Sequence, residues 1–210
     1  MDFSFNDSLV GRKMFPKGCP NCGGEVVFKS CEEAFGYTRQ DGANVYVCSH
    51  YPLCDSYVLA HTKTTPESIQ NHPRGILANK ELRMQHDVLK LDFNRLWQEK
   101  LIAQVYHKYV VSFIVDGEKR YGSIEKTNSS DKTYEIKTEL GDIHYVPITE
   151  ADKVNPRSRS HFWLAEKMGL PVQSCKIPYL DFEQTCEAHK IVQEALLSIG
   201  QTSEQTVETE

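Results

Sequence analysis

The spacing of apolar side chains changes character several times along the chain. From Lys17 to Val58 they come in short runs, Glu25-Val-Val-Phe28 and Asn44-Val-Tyr-Val47, bounded by turn residues, which predicts strands and turns. His61 to Gly75 is polar and punctuated by Pro66 and Pro73, a loop. From about Leu77 to Lys100, Leu82, Leu89, Phe93, Leu96 and Trp97 recur at helical spacing among charged residues, the pattern of one long amphipathic helix. At Val105 the period drops towards two. Tyr109–Val115 and Lys119–Ile124 flank Asp116-Gly117, the dipeptide of a type I′ hairpin turn. Tyr134–Leu140 and Ile143–Ile148 meet at Gly141-Asp142, and a sheet this short is expected to close into a small barrel. Helical signals return at Ser158–Met168, which stops at Gly169 with Pro171 beyond. A last helix starts near Asp181, with Gln184 as its capping partner, and runs to about Ser198. Gln201 to Glu210 is polar and acidic and is expected to be disordered.

Composition narrows the class. With 210 residues, 40% of them hydrophobic, the chain can fill a compact core. The apolar-leaning run Tyr109–Val115 is far short of the roughly 20 residues of a membrane helix, so no membrane partner is expected. Met1-Asp2-Phe3-Ser4 lacks the basic start of a secretory leader, so a cytoplasmic location is expected. The net charge of −5 excludes a histone-like field over the whole surface.

Seven cysteines in such a chain point to metal binding or burial rather than to a disulfide framework. Cys19-x2-Cys22 followed by Cys48-x5-Cys54 is the spacing of two thiolate knuckles. Four soft sulfur ligands suit one zinc ion, and a site filled by protein on all four corners is structural. Cys31, His50 and His61 compete for the fourth position, and the Cys3His alternative stays open at this point. Cys175 and Cys186, the latter one helical turn before His189, read as buried core cysteines rather than as a second site.

Two resemblances follow from these residues. Cys19-Pro-Asn-Cys-Gly-Gly24 with Cys48-Ser-His-Tyr-Pro-Leu-Cys54 resembles the four-cysteine ribbon at the C-terminus of bacterial type IA DNA topoisomerases. A longer pattern is similar to a bacterial and phage zinc-finger-containing domain family of unknown function. It comprises Cys19, Cys22-Gly23, Val47-Cys48, Cys54-Asp55-x-Tyr57-Val58, His61, Pro73-x-Gly75-x-Leu77-Ala78, Glu81-Leu82-Arg83, Phe93 and Leu96-Trp97. A second block holds Arg157, Trp163-Leu-Ala-Glu166, Gly169, Pro171, Cys175-x-Ile177, Asp181 and Cys186, so that Ile102 to about Asn155 looks like an insertion. Lys90, Asn94, His161 and Lys176 depart from the polar residues that the family pattern leads one to expect, and the resemblance carries no activity with it. The inserted sheet is similar in size and turn spacing to SH3-like barrels of the KOW and Tudor kind.

The resulting expectation is an α+β chain: a zinc ribbon over 1–64, a loop and long helix over 65–101, an inserted SH3-like β-barrel over 102–155, C-terminal helices over 156–200 and a tail over 201–210. No phosphate loop, nucleophile elbow or His-Glu-x-x-His motif appears, so no catalytic residue and no small-molecule substrate are expected. The topoisomerase resemblance implies single-stranded DNA as ligand, bound through Tyr46, Tyr51 and Tyr57 with Lys29, Arg39 and Lys63. Six basic against seven acidic residues in Met1–Thr64 fit equally a protein-interaction adaptor or inhibitor that does not contact nucleic acid.

Overall fold

The computed structural model describes Pro16 and residues 18–205. They form two compact units that divide between His86 and Asp87. The architecture is mixed α+β, with a three-stranded and a five-stranded antiparallel sheet.

In the first unit β1 (Val26–Ser30), β2 (Asn44–Cys48) and β3 (Tyr57–Leu59) pair in that order, with Val27 opposite Val47 and Val47 opposite Tyr57. Alternation gives the sheet two faces. Val27, Val45, Val47, Tyr57 and Leu59 pack with Cys31, Ala34 and Phe35; Val26, Tyr46 and Val58 pack with Cys19, Cys48, Cys54 and Leu77. Between β1 and β2 lies a one-turn helix, α1 (Cys31–Phe35). Ser30 caps it, accepting from Glu33 N–H while the Glu33 carboxylate accepts from Ser30 N–H at 2.9 Å, and Gly36 closes it at φ 75°. This helix was not foreseen, although Ser30-x-x-Glu33 is the capping signature.

The long helix α2 (Lys80–Gln98) starts in this unit. Asn79 Oδ1 accepts from Leu82 N–H at 2.9 Å, and Asp55 Oδ2 accepts from Lys80 N–H at 3.0 Å. Arg83 reaches back from the helix to the sheet. Its guanidinium donates to the Asp55 carbonyl at 2.9 Å and to the Ala78 carbonyl, and it lies 4.1 Å from the centre of the Tyr57 ring.

In the second unit, Leu89, Phe93 and Leu96 of α2 pack with α3 (Ile102–Val105), α4 (Pro156–Met168) and α5 (Phe182–Gln205). Gly169 ends α4 at φ 63°, and Asp181 and Gln184 bond reciprocally at the start of α5, as the sequence pattern requires, whereas α4 starts two residues before the expected Ser158, capped by Asn155. His189 of α5 bonds Asp92 of α2 at 3.0 Å. Helix α5 runs to Gln205, past Ser198. The tail expected from 201 is therefore helical as far as 205, and 206–210 lie outside the described residues. Cys175 is buried in this core, whereas Cys186 is exposed, contrary to the expectation for the pair.

The remaining strands are β4 (Val110–Val115), β5 (Glu118–Asn128), β6 (Thr133–Lys137), β7 (Ile143–Pro147) and β8 (Asp152–Lys153), in the order β7-β6-β5-β4-β8. Asp116 and Gly117 both have positive φ, 53° and 78°, in the expected hairpin turn. The sheet is open, not the closed barrel that the strand count suggested. Its order runs from β7 at one edge to the two-residue β8 at the other, and no pairing joins them. One face gathers Val111, Phe113, Ile136 and Val146; on the other, Val110 and Tyr121 belong to the helical core. The covering that closure would have given is supplied in part by helices. Among the described residues no helix is long and apolar enough to cross a membrane.

Two outcomes follow from this packing. A Cβ on Gly122 would stand 2.3 Å from Ile136 Cγ2 and 2.8 Å from the Lys137 carbonyl oxygen. Gly122→Ala should therefore cost about 1–3 kcal/mol, read as a lowered urea midpoint. His161, tilted against Phe93 with ring centres 4.7 Å apart, has its imidazole lowered to about 4 by burial and then by the positive charges of Arg157 and Lys176. An unfolded histidine titrates near 6.5, so the unfolded chain binds more protons between about 6.5 and 4. The stabilising share of the neutral ring is complete above that window and is lost as pH falls through it. The wild-type urea midpoint should drop over that interval more than that of His161→Phe.

Candidate metal centre

The first knuckle is shaped by backbone. Cys19 N–H donates to the Gly24 carbonyl at 2.7 Å and Gly23 N–H to the Cys19 carbonyl at 2.8 Å, with Gly23 at φ 73°, where side-chain-bearing residues are strained. The second knuckle leaves the end of β2: Tyr51 N–H bonds the Cys48 carbonyl at 3.0 Å, and Cys54 N–H bonds the His50 carbonyl at 3.1 Å. Together they bring the sulfurs of Cys19, Cys22, Cys48 and Cys54 within 4.8 Å of one another. Cys19 and Cys54 are 3.5 Å apart and Cys22 and Cys48 3.3 Å. Metal–thiolate bonds of about 2.3 Å in a tetrahedron give edges of roughly 3.8 Å, so the four sulfurs fit one ion.

Hydrogen bonds surround the sulfurs. Gly24 N–H points at Cys22 Sγ and His50 N–H at Cys48 Sγ, each at 3.4 Å, and Ser56 Oγ is 3.3 Å from Cys54 Sγ. Asn21 Nδ2 donates to that same Ser56 oxygen at 2.7 Å and its Oδ1 accepts from Asn79 Nδ2 at 3.3 Å, so the support reaches the residue that caps α2. Burial opposes ionisation of Cys19, but hydrogen bonds from Ser56 and from the backbone of Asn21 and Cys22 outweigh it and bring that thiol to about 6. Burial pushes Cys48 the other way, to about 12. Four thiolates this close repel one another, and a divalent cation removes the conflict.

Of the rivals for the fourth position, Cys31 lies elsewhere, buried, its thiol donating to the Ala43 carbonyl at 3.1 Å. His61 sits beyond β3 with its backbone N–H bonded to the His72 carbonyl at 2.8 Å. The imidazole of His50 stands beside the cluster, its Nδ1 3.6 Å from Cys22 Sγ.

The six residues expected to bind nucleic acid or a partner do not make one surface. Tyr57 packs edge-on against Phe35 at 5.0 Å, and Tyr51 does the same at 5.3 Å. Lys29, opposite Val45, is exposed on that same sheet face. Tyr46 lies on the other face against Phe28 at 4.7 Å, its hydroxyl donating to the Asn71 carbonyl at 2.8 Å. Arg39 is held by the Asp41 carboxylate at 3.0 and 3.2 Å, and Lys63 is exposed in the loop after β3. Arg83, placed over Tyr57, completes the aromatic group, although in the sequence it is only a cation one turn into a helix.

A four-thiolate centre between two knuckles, one of them leaving a short antiparallel sheet, defines a ribbon-type metal module. The chain belongs to the zinc-finger-containing domain family, whose model matches residues 15–118. That match covers the ribbon and the long helix and runs on to the start of β5; it does not take in the block from Arg157 to Cys186. No curated protein and no solved structure matches the chain.

The geometry makes the metal site testable. Cys54→Ser should release the ion. Gly24→Ala, whose Cβ would meet Cys48 Sγ at 3.2 Å and His50 Nδ1 at 3.0 Å, should weaken it by about 10- to 100-fold in chelator competition.

Proposed function

We propose that the chain holds one structural zinc ion and that its ribbon binds single-stranded nucleic acid by stacking bases on aromatic side chains. Four sulfur ligands favour zinc over hard cations, and with every corner of the tetrahedron filled by protein no position is left for a reacting water. The ion's part is to fold the module, since structural zinc contributes on the order of 10 kcal/mol or more to such sites.

The observation that carries the binding reading is the ring cluster on the outer face of the small sheet. Phe35 is its centre, with Tyr37 stacked at 5.8 Å and Tyr51 and Tyr57 edge-on; Tyr37 and Tyr51 are 52% and 38% exposed. Bases stack on such rings without sequence preference, and the exposed Lys29 adds positive charge nearby. The similarity of the second knuckle to topoisomerase ribbons supports the same ligand.

A second reading, a protein-binding adaptor or inhibitor, is favoured by Leu53. This side chain at the tip of the second knuckle is 97% exposed, an apolar anchor of the kind that protein contacts bury.

Fluorescence anisotropy with an oligothymidylate and a duplex, at two salt concentrations, separates the two. Salt-sensitive binding of the single strand is expected, weakened by roughly 5-fold or more in Tyr37→Ala and in Tyr51→Ala while the zinc content is kept. Absence of binding to either probe would overturn the nucleic-acid reading in favour of the adaptor.

A further inference from the structure

Three of the four ligands are at least partly shielded; Cys22 is exposed. Beside it stands the exposed ring of His50, Nδ1 3.6 Å from the Cys22 sulfur. That separation is within hydrogen-bond reach of a sulfur. It keeps the ring next to the corner of the tetrahedron that the Cys22 sulfur occupies.

Nor is the ring free to drift from the site if Cys22 is lost. The His50 main chain is fixed by the two ligands on either side of it: its N–H points at Cys48 Sγ and its carbonyl accepts from Cys54 N–H at 3.1 Å. Neither bond involves Cys22. Space for the ring comes from Gly24, where any side chain would begin 3.0 Å from Nδ1 and 3.1 Å from Cε1.

We propose that His50 is a reserve ligand. When Cys22 no longer offers a thiolate, the His50 Nδ1 takes its position and the centre persists as Cys3His. The proposal rests on the zinc reading above. In the exchange the zinc–sulfur bond to Cys22 breaks, and the sulfur leaves as a thiol with a proton from water, or as a thioether after alkylation by a haloacetamide. The lone pair of the neutral imidazole forms the new zinc–nitrogen bond, and the net charge of the centre changes from −2 to −1. A module of this kind would survive damage at its one exposed ligand and fail on loss of a buried one.

The test uses the full chain with Cys22→Ala, His50→Ala, the double variant and Cys48→Ala, each purified with zinc, desalted and analysed for metal. Wild type, His50→Ala and Cys22→Ala should each keep about one zinc, while the double variant and Cys48→Ala lose it. With cobalt(II) in place of zinc, Cys22→Ala should show the sulfur charge-transfer band reduced to about three-quarters, as three thiolates replace four. Loss of zinc from Cys22→Ala as complete as from the double variant would overturn the proposal, as would equal retention by the two. A zinc-free wild type would overturn the zinc reading itself, before any variant is compared, and the reserve-ligand proposal with it.

Discussion

Everything in the first unit depends on bringing four sulfurs that prefer to be apart within 4.8 Å. The knuckles, the glycines at their bends and the short strand that delivers Cys48 all serve that constraint. The apolar packing is organised around it as well: Cys19 and Cys48 are themselves members of a buried cluster with Val58 and Leu77. A sheet of five-, five- and three-residue strands has little surface to bury, so the metal centre and the core are one structure rather than two.

The two faces of that sheet are correspondingly different. One holds the sulfurs and the Tyr46–Phe28 pair; the other holds the rings around Phe35, which α1 places there. A helix of five residues would not persist alone. The capping box between Ser30 and Glu33 and the burial of Cys31 and Phe35 hold it in place.

What could be read from the sequence was what local chemistry encodes. Cysteine spacing gave the ligand set, Asp116-Gly117 gave its turn, and Gly169 and Asp181 with Gln184 gave helix ends, because each acts over a few residues. What was missed depends on distant partners. Hairpin signals count strands but say nothing of whether the first meets the last, so the open sheet was taken for a barrel. Arg83 is one of several cations on an amphipathic helix until Asp55 and Tyr57 are seen beneath it. Cys175, in the loop before α5, is buried and Cys186, within α5, is exposed, which only packing against a distant core decides. Spacing alone also could not show that six candidate binding residues would be divided between two faces and a loop.

Asp55 follows the ligand Cys54 directly, and it is also where α2 begins, through Lys80 N–H and Arg83. Cys22 and Cys48 are 26 positions apart and Asp55 and Lys80 are 25, so the entropy of closing the two loops is nearly the same. The first closure brings two of the cluster's sulfurs together, and the second rests on a few hydrogen bonds to the residue that follows a third. The start of the helix is therefore tied to the same stretch of chain that delivers Cys54.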